Sequence, residues 1–61
     1  MNSLFYVAMY NHRRNEFARF LLTADTLEDA EDITKKRMDG WTIESIFLVC
    51  VTTDNDIFTD L

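Results

Sequence analysis

Asp25-Thr26-Leu27-Glu28-Asp29-Ala30-Glu31-Asp32-Ile33-Thr34-Lys35-Lys36-Arg37-Met38-Asp39-Gly40 is the stretch on which the fold turns. Thr26 is a good helix N-cap, and Asp29 stands three residues later, where a capping box places its acceptor. Asp25 and Glu28 offer the same pair one step earlier. Leu27, Ala30, Ile33, Thr34 and Met38 fall on one helical stripe, a face suited to packing on a sheet. Acidic side chains (Asp25, Glu28, Asp29, Glu31, Asp32) fill the first turns and Lys35, Lys36 and Arg37 the last, so charge complements the helix dipole at both ends. Asp39-Gly40 stops the helix, with Gly40 free to take the left-handed C′ conformation.

On either side of this helix the period changes. Leu4-Phe5-Tyr6-Val7-Ala8-Met9-Tyr10 is rich in aromatic and β-forming residues and apolar on both faces, which predicts a central strand. Asn11-His12-Arg13-Arg14-Asn15 is a polar hairpin tip framed by Asn, a residue that tolerates left-handed backbone angles. Glu16 to Thr23 returns as a second, antiparallel strand. Trp41 to Thr53 is the third, and there Ser45 breaks the alternation set by Trp41 and Ile43. Either a β-bulge lies near Glu44-Ser45, or the strand becomes two-sided at Phe47-Leu48-Val49. The predicted fold is α+β: a two-layer β-β-α-β domain over residues 1–53, its three-stranded antiparallel sheet in the order 2-1-3, with one helix on one face. Residues 54–61 form an acidic C-terminal tail, from which Ile57, Phe58 and Leu61 are able to fold back onto the domain.

The chain has 61 residues, a net charge of −5 and 48% hydrophobic residues. A single domain of this size buries only about 60% of the surface its unfolded form exposes, which leaves no room for an elaborated cleft. The apolar content is too high for disorder. The single cysteine, Cys50, excludes an internal disulfide framework. The apolar runs Leu4–Tyr10 and Ile46–Val51 fall well short of the roughly 20 residues of a membrane span. The first run also lacks the basic flank and cleavage site of a secretory signal. These features predict a soluble cytoplasmic protein in a reducing compartment, with no membrane partner.

One helix covers one sheet face, yet the strands are apolar on both. Phe5, Val7 and Met9 oppose Leu4, Tyr6, Ala8 and Tyr10; Ala18, Phe20 and Leu22 oppose Phe17 and Leu21; Phe47, Val49 and Val51 are set against Ile46, Leu48 and Cys50. An uncovered apolar face on a small protein implies a partner surface. A homodimer packing sheet on sheet, the tail folding over the face, or a foreign protein would each satisfy it.

Signals for catalysis are absent, and no enzyme activity or cofactor is expected. One His and one Cys do not build a metal site of repeated spacing. His12 reads as a solvent-facing turn residue beside two arginines, and Cys50 as a small buried hydrophobe among Leu48, Val49 and Val51. Gly40, alone, makes no phosphate-cradling loop. Direct nucleic-acid binding is disfavoured by the net negative charge, although Tyr6, Tyr10 and Phe47 are the residue types of a stacking platform. Conversely, Asp25, Glu28, Asp29, Asp32 and the tail aspartates have the character of a phosphate row. An ordinary solvated helix face is the plainer reading of the same residues.

The order of these features resembles a family: the small inhibitors of bacterial RNA polymerase made by lytic podophages. The likeness rests on the aromatic opening strand Phe5-Tyr6-Val7-Ala8 and a polar hairpin. It continues through Ala24-Asp25-Thr26-Leu27-Glu28-Asp29-Ala30, then Gly40-Trp41-Thr42-Ile43 and a strand closing in Cys50-Val51, roughly residues 5–51 in all. The resemblance implies a phage protein that disables a host enzyme by binding it. The family's strand-three arginines, which carry binding to the polymerase jaw, are replaced here by Ser45 and Phe47, so those roles do not transfer. The expected partner-binding residues are therefore Arg13 and Arg14 on the hairpin, Asp25, Glu28, Asp29 and Asp32 on the helix, and Glu44 and Phe47 on the last strand. The alternative is a homodimeric accessory domain that uses the apolar sheet face.

Overall fold

The hairpin at Asn11–Asn15 is built by its two asparagines. Asn11 Oδ1 accepts from the backbone N–H groups of Arg13 (3.0 Å) and Arg14 (3.1 Å), and Asn15 takes a positive φ of 55°. Tyr10 donates its hydroxyl to Asn15 Oδ1 and ties the loop to the strand. The computed structural model describes residues 2–52 and 58–60. Its elements are β1 (Asn2–Asn11), β2 (Glu16–Ala24), α1 (Leu27–Arg37), β3 (Thr42–Thr52) and β4 (Phe58–Asp60). The first three strands form the antiparallel 2-1-3 sheet that the sequence predicts, with β1 central.

A fourth strand extends that sheet. Phe58–Asp60 pairs antiparallel with Leu22–Phe20, giving the order β3-β1-β2-β4. Part of the expected tail thus joins the domain through a sheet edge; Asp54, Asn55, Asp56, Ile57 and Leu61 lie outside the described residues.

The core lies between the sheet and α1. Phe5, Val7 and Met9 of β1, Phe20, Leu22 and Ala24 of β2, and Ala30 of α1 are buried, with Ile33, Met38, Trp41, Ile43 and Ile46 packed against them. The alternation expected for β1 and β2 is therefore observed. Thr26 caps the helix, its Oγ1 accepting from the Asp29 N–H at 3.1 Å, and Glu28 and Asp29 open the helix that Lys35, Lys36 and Arg37 close. Leu27, expected on the packed stripe, is 45% exposed. It opens the helix, three residues past the end of β2. Thr34, on the buried stripe, is fully enclosed, and its hydroxyl has no hydrogen-bond partner.

Helix termination differs in detail from the expectation. The cap is Met38, whose N–H bonds to the Thr34 carbonyl at 2.8 Å. Gly40, with φ +87°, sits two residues further on, in a turn closed by the Trp41 N–H on the Met38 carbonyl at 3.1 Å. That is the third turn position, where positive φ favours glycine.

β3 carries two register shifts against β1. One falls between Ala8 and Met9, leaving Glu44 as the extra residue near the expected bulge; the other falls between Leu4 and Phe5, leaving Val49 extra. Each inserted residue reverses the side-chain phase. The expected grouping of Phe47 with Val49 and Val51 is corrected accordingly. Phe47 (opposite Tyr6) and Cys50 (opposite Leu4) lie on the outer face, whereas Ile46, Leu48 and Val51, opposite Val7, Phe5 and Ser3, lie on the helix side.

Candidate functional site

The expected partner-binding residues do not converge on one place. The molecule is elongated, with a longest dimension of 36 Å. Asp25, Asp29 and Asp32 lie near the start of β1, where they line an open cleft of about 400 Å³ together with Asn2, Thr23, Ala24, Ile33 and Lys36. Glu28 is exposed on the same helix but does not line the cleft. Arg13 and Arg14 are exposed in the hairpin at the other end of β1, roughly 30 Å away at about 3.4 Å per strand residue. Glu44 and Phe47 sit between, on the β3 edge strand.

The helix turns its carboxylates outward because its other face is committed to the sheet through Ala30 and Thr34. Asp25, Glu28, Asp29 and Asp32 are exposed, and no ion pair with another described residue neutralises them. At 1.5 Å of rise per residue, Asp29 and Asp32 stand about 4.5 Å apart along the axis, and Asp25 lies just before the extended N-cap Thr26. The result is a ridge of exposed carboxylates beside a cleft that Lys36 also lines.

Comparison with known protein-family models, curated proteins and solved structures finds no match. What the site does has to be argued from its own chemistry.

His12 and Cys50 are far apart. Cys50 pairs with Leu4, while His12 lies beyond Tyr10 with its ring edge-on to that tyrosine at 4.7 Å, so about 27 Å of strand separates them. Cys50, expected to be buried, is exposed, because it faces away from the helix on an edge strand. No group of three or more His, Cys, Asp or Glu side chains among the described residues could hold a metal ion. No helix among them is long and apolar enough to cross a membrane.

The outer sheet face holds what sequence reasoning underused. Tyr6 and Phe47 stack with ring centroids 5.0 Å apart, and Tyr10 and Phe17 meet at 4.6 Å. Phe17 is 74% exposed and Phe47 51%. Between these two pairs, Arg19 lies opposite Ala8 on β2. The available signal was the odd phase of β2, Phe17-Arg19-Leu21, alternating with buried Phe20 and Leu22. Leu48, Val49 and Val51 add further half-exposed apolar surface along β3.

Proposed function

We propose that this chain is an inhibitory binding protein of phage type that docks its acidic helix in the nucleic-acid cleft of a bacterial host enzyme in the host cytoplasm. RNA polymerase is the target that the family likeness suggests. The observation that carries the reading is the ridge of Asp25, Glu28, Asp29 and Asp32, exposed and without ion pairs to described residues. A cleft built to hold phosphates presents Lys and Arg side chains, and such a ridge competes for them through the same long-range field that steers nucleic acid. The function requires no catalysis and no cofactor from this chain. Glu44 and Phe47 on β3, and Arg13 and Arg14 on the hairpin, would contact the walls of the cleft.

The test is transcription by purified bacterial RNA polymerase with increasing amounts of the protein, compared with a variant carrying Asp25→Asn, Glu28→Gln, Asp29→Asn and Asp32→Asn. Inhibition by the native chain that the neutralised chain loses, and that weakens as salt rises, is expected. Undiminished inhibition by the neutralised variant would remove the helix from the interface, and no inhibition by either would remove the polymerase as target.

A further inference from the structure

Whole-chain charge argues against nucleic acid, but the fold sorts that charge by layer. The acidic residues of the helix sit above the inner face of the sheet. On β1, β2 and β3 the carboxylates are Glu16, which alternates away from the face of Phe17, and Glu44, the bulge residue at the β3 edge. Among the residues of β1, β2 and β3, the outer face therefore carries Arg19 as its charged side chain, with Arg13 and Arg14 at the hairpin end; all three are exposed, and no described carboxylate pairs with them.

The aromatic rings are spaced to match. Tyr6 and Tyr10 are four residues apart on one strand, so their pairs with Phe47 and Phe17 lie roughly 13–14 Å apart. Small side chains, Ala8 and Ser45, occupy the row between them, and Arg19 borders that row on β2. The row thus has a cation at its side and an aromatic pair at each end. Four steps, or five nucleotides, cover that length at the duplex rise of about 3.4 Å per step, and fewer do so when the strand is stretched.

We propose that the outer face binds a short single-stranded nucleic acid. Its bases stack on the Tyr6–Phe47 and Tyr10–Phe17 pairs, an intervening phosphate sits on Arg19, and the strand leaves over Arg13 and Arg14. Stacking supplies sequence-tolerant affinity, because every base has a π face. A duplex, whose bases are already stacked, gains nothing from these rings. This activity uses the layer opposite the acidic helix but shares Phe47, Arg13 and Arg14 with the docking proposed above; Arg19→Gln, which lies outside that docking set, tells the two apart.

The experiment is fluorescence anisotropy of fluorescein-labelled oligo(dT), oligo(U) and a hairpin duplex titrated with the full chain, alongside sedimentation of the protein alone. Both single strands are expected to bind in preference to the duplex. Three phosphate contacts predict a log–log salt slope near −2, or about a 20-fold loss of affinity between 50 and 200 mM salt. Phe47→Ala and Arg19→Gln alter exposed side chains, so the variants stay folded by circular dichroism while each weakens binding about tenfold. No anisotropy change at about 100 µM protein, the weak end of ordinary non-specific binding, overturns the proposal. Affinity indifferent to both substitutions does the same. A dimer that Phe47→Ala dissociates, with no oligonucleotide bound, assigns the face to a second copy of the chain and also overturns it.

Discussion

Replacing Thr34 by Val should make this protein more stable. Thr34 is fully buried on the sheet-facing side of the helix, and its hydroxyl lacks a hydrogen-bond partner. An unpaired buried hydroxyl costs about 1–3 kcal/mol of desolvation relative to a group that needs no partner. Valine keeps the shape, replaces the oxygen with a methyl group, and has nearly the same helix propensity as threonine. The expected gain is about 1–2 kcal/mol. For a domain this small, each kcal/mol moves Tm by about 4–8 °C, so the midpoint should rise by about 5–15 °C. Thr34→Ser is the converse change, keeping the oxygen and deleting a buried methyl, and it should lower stability by about 1 kcal/mol. Urea and thermal unfolding followed by far-ultraviolet circular dichroism, with m unchanged, would read both. A destabilised Val variant beside a neutral Ser variant would refute the reasoning, since it would mean that the hydroxyl makes a bond in solution.

Other substitutions test the local devices. Thr26→Ala removes the acceptor for the Asp29 N–H and should cost about 1 kcal/mol in urea unfolding. Gly40→Ala meets no atom within 4 Å, yet φ is +87°, so a loss of about 1 kcal/mol would come from backbone strain alone; an unchanged urea midpoint would show that the turn relaxes. Phe20→Ala empties a site that is 1% exposed and should cost about 3–5 kcal/mol, enough to leave much of a domain this small unfolded by circular dichroism. Phe17→Ala, three residues away and 74% exposed, should lose only its ring contact with Tyr10, about 1 kcal/mol or less by the same measurement.

Much of the fold can be read from residue order because it is locally encoded. Thr26 and Asp29 are neighbours in the chain as well as in the cap, and the Asn11–Asn15 tip carries its own acceptors. The phase of β3 beyond Phe47 is different. From Ile46 to Val51 every residue is apolar, so alternation carries no information about which side chains face the helix, and the bulge at Val49 emerges only when β1 is laid against it. β4 is three residues long, too short to show a period. The site divides along the same line. The acidic helix is visible as a run of letters, whereas the rings of Tyr6 and Phe47 come from strands far apart in sequence, and the separation of Arg19 from the carboxylates appears only once the two layers exist.

The position of β1 also bears on how the protein is made. The strand at the centre of the sheet comes first in chain order, and of its two neighbours only β2 follows directly. Its ladder with β3 closes a loop of some thirty residues or more that includes the whole helix, a non-local pairing of the kind that slows folding. On the ribosome the β1–β2 hairpin would emerge with Phe5, Val7 and Met9 bare and one side of β1 unpaired, an edge open to other nascent chains. Shielding of that hairpin therefore waits on translation of the helix and β3, and a pause before Trp41 would prolong its exposure.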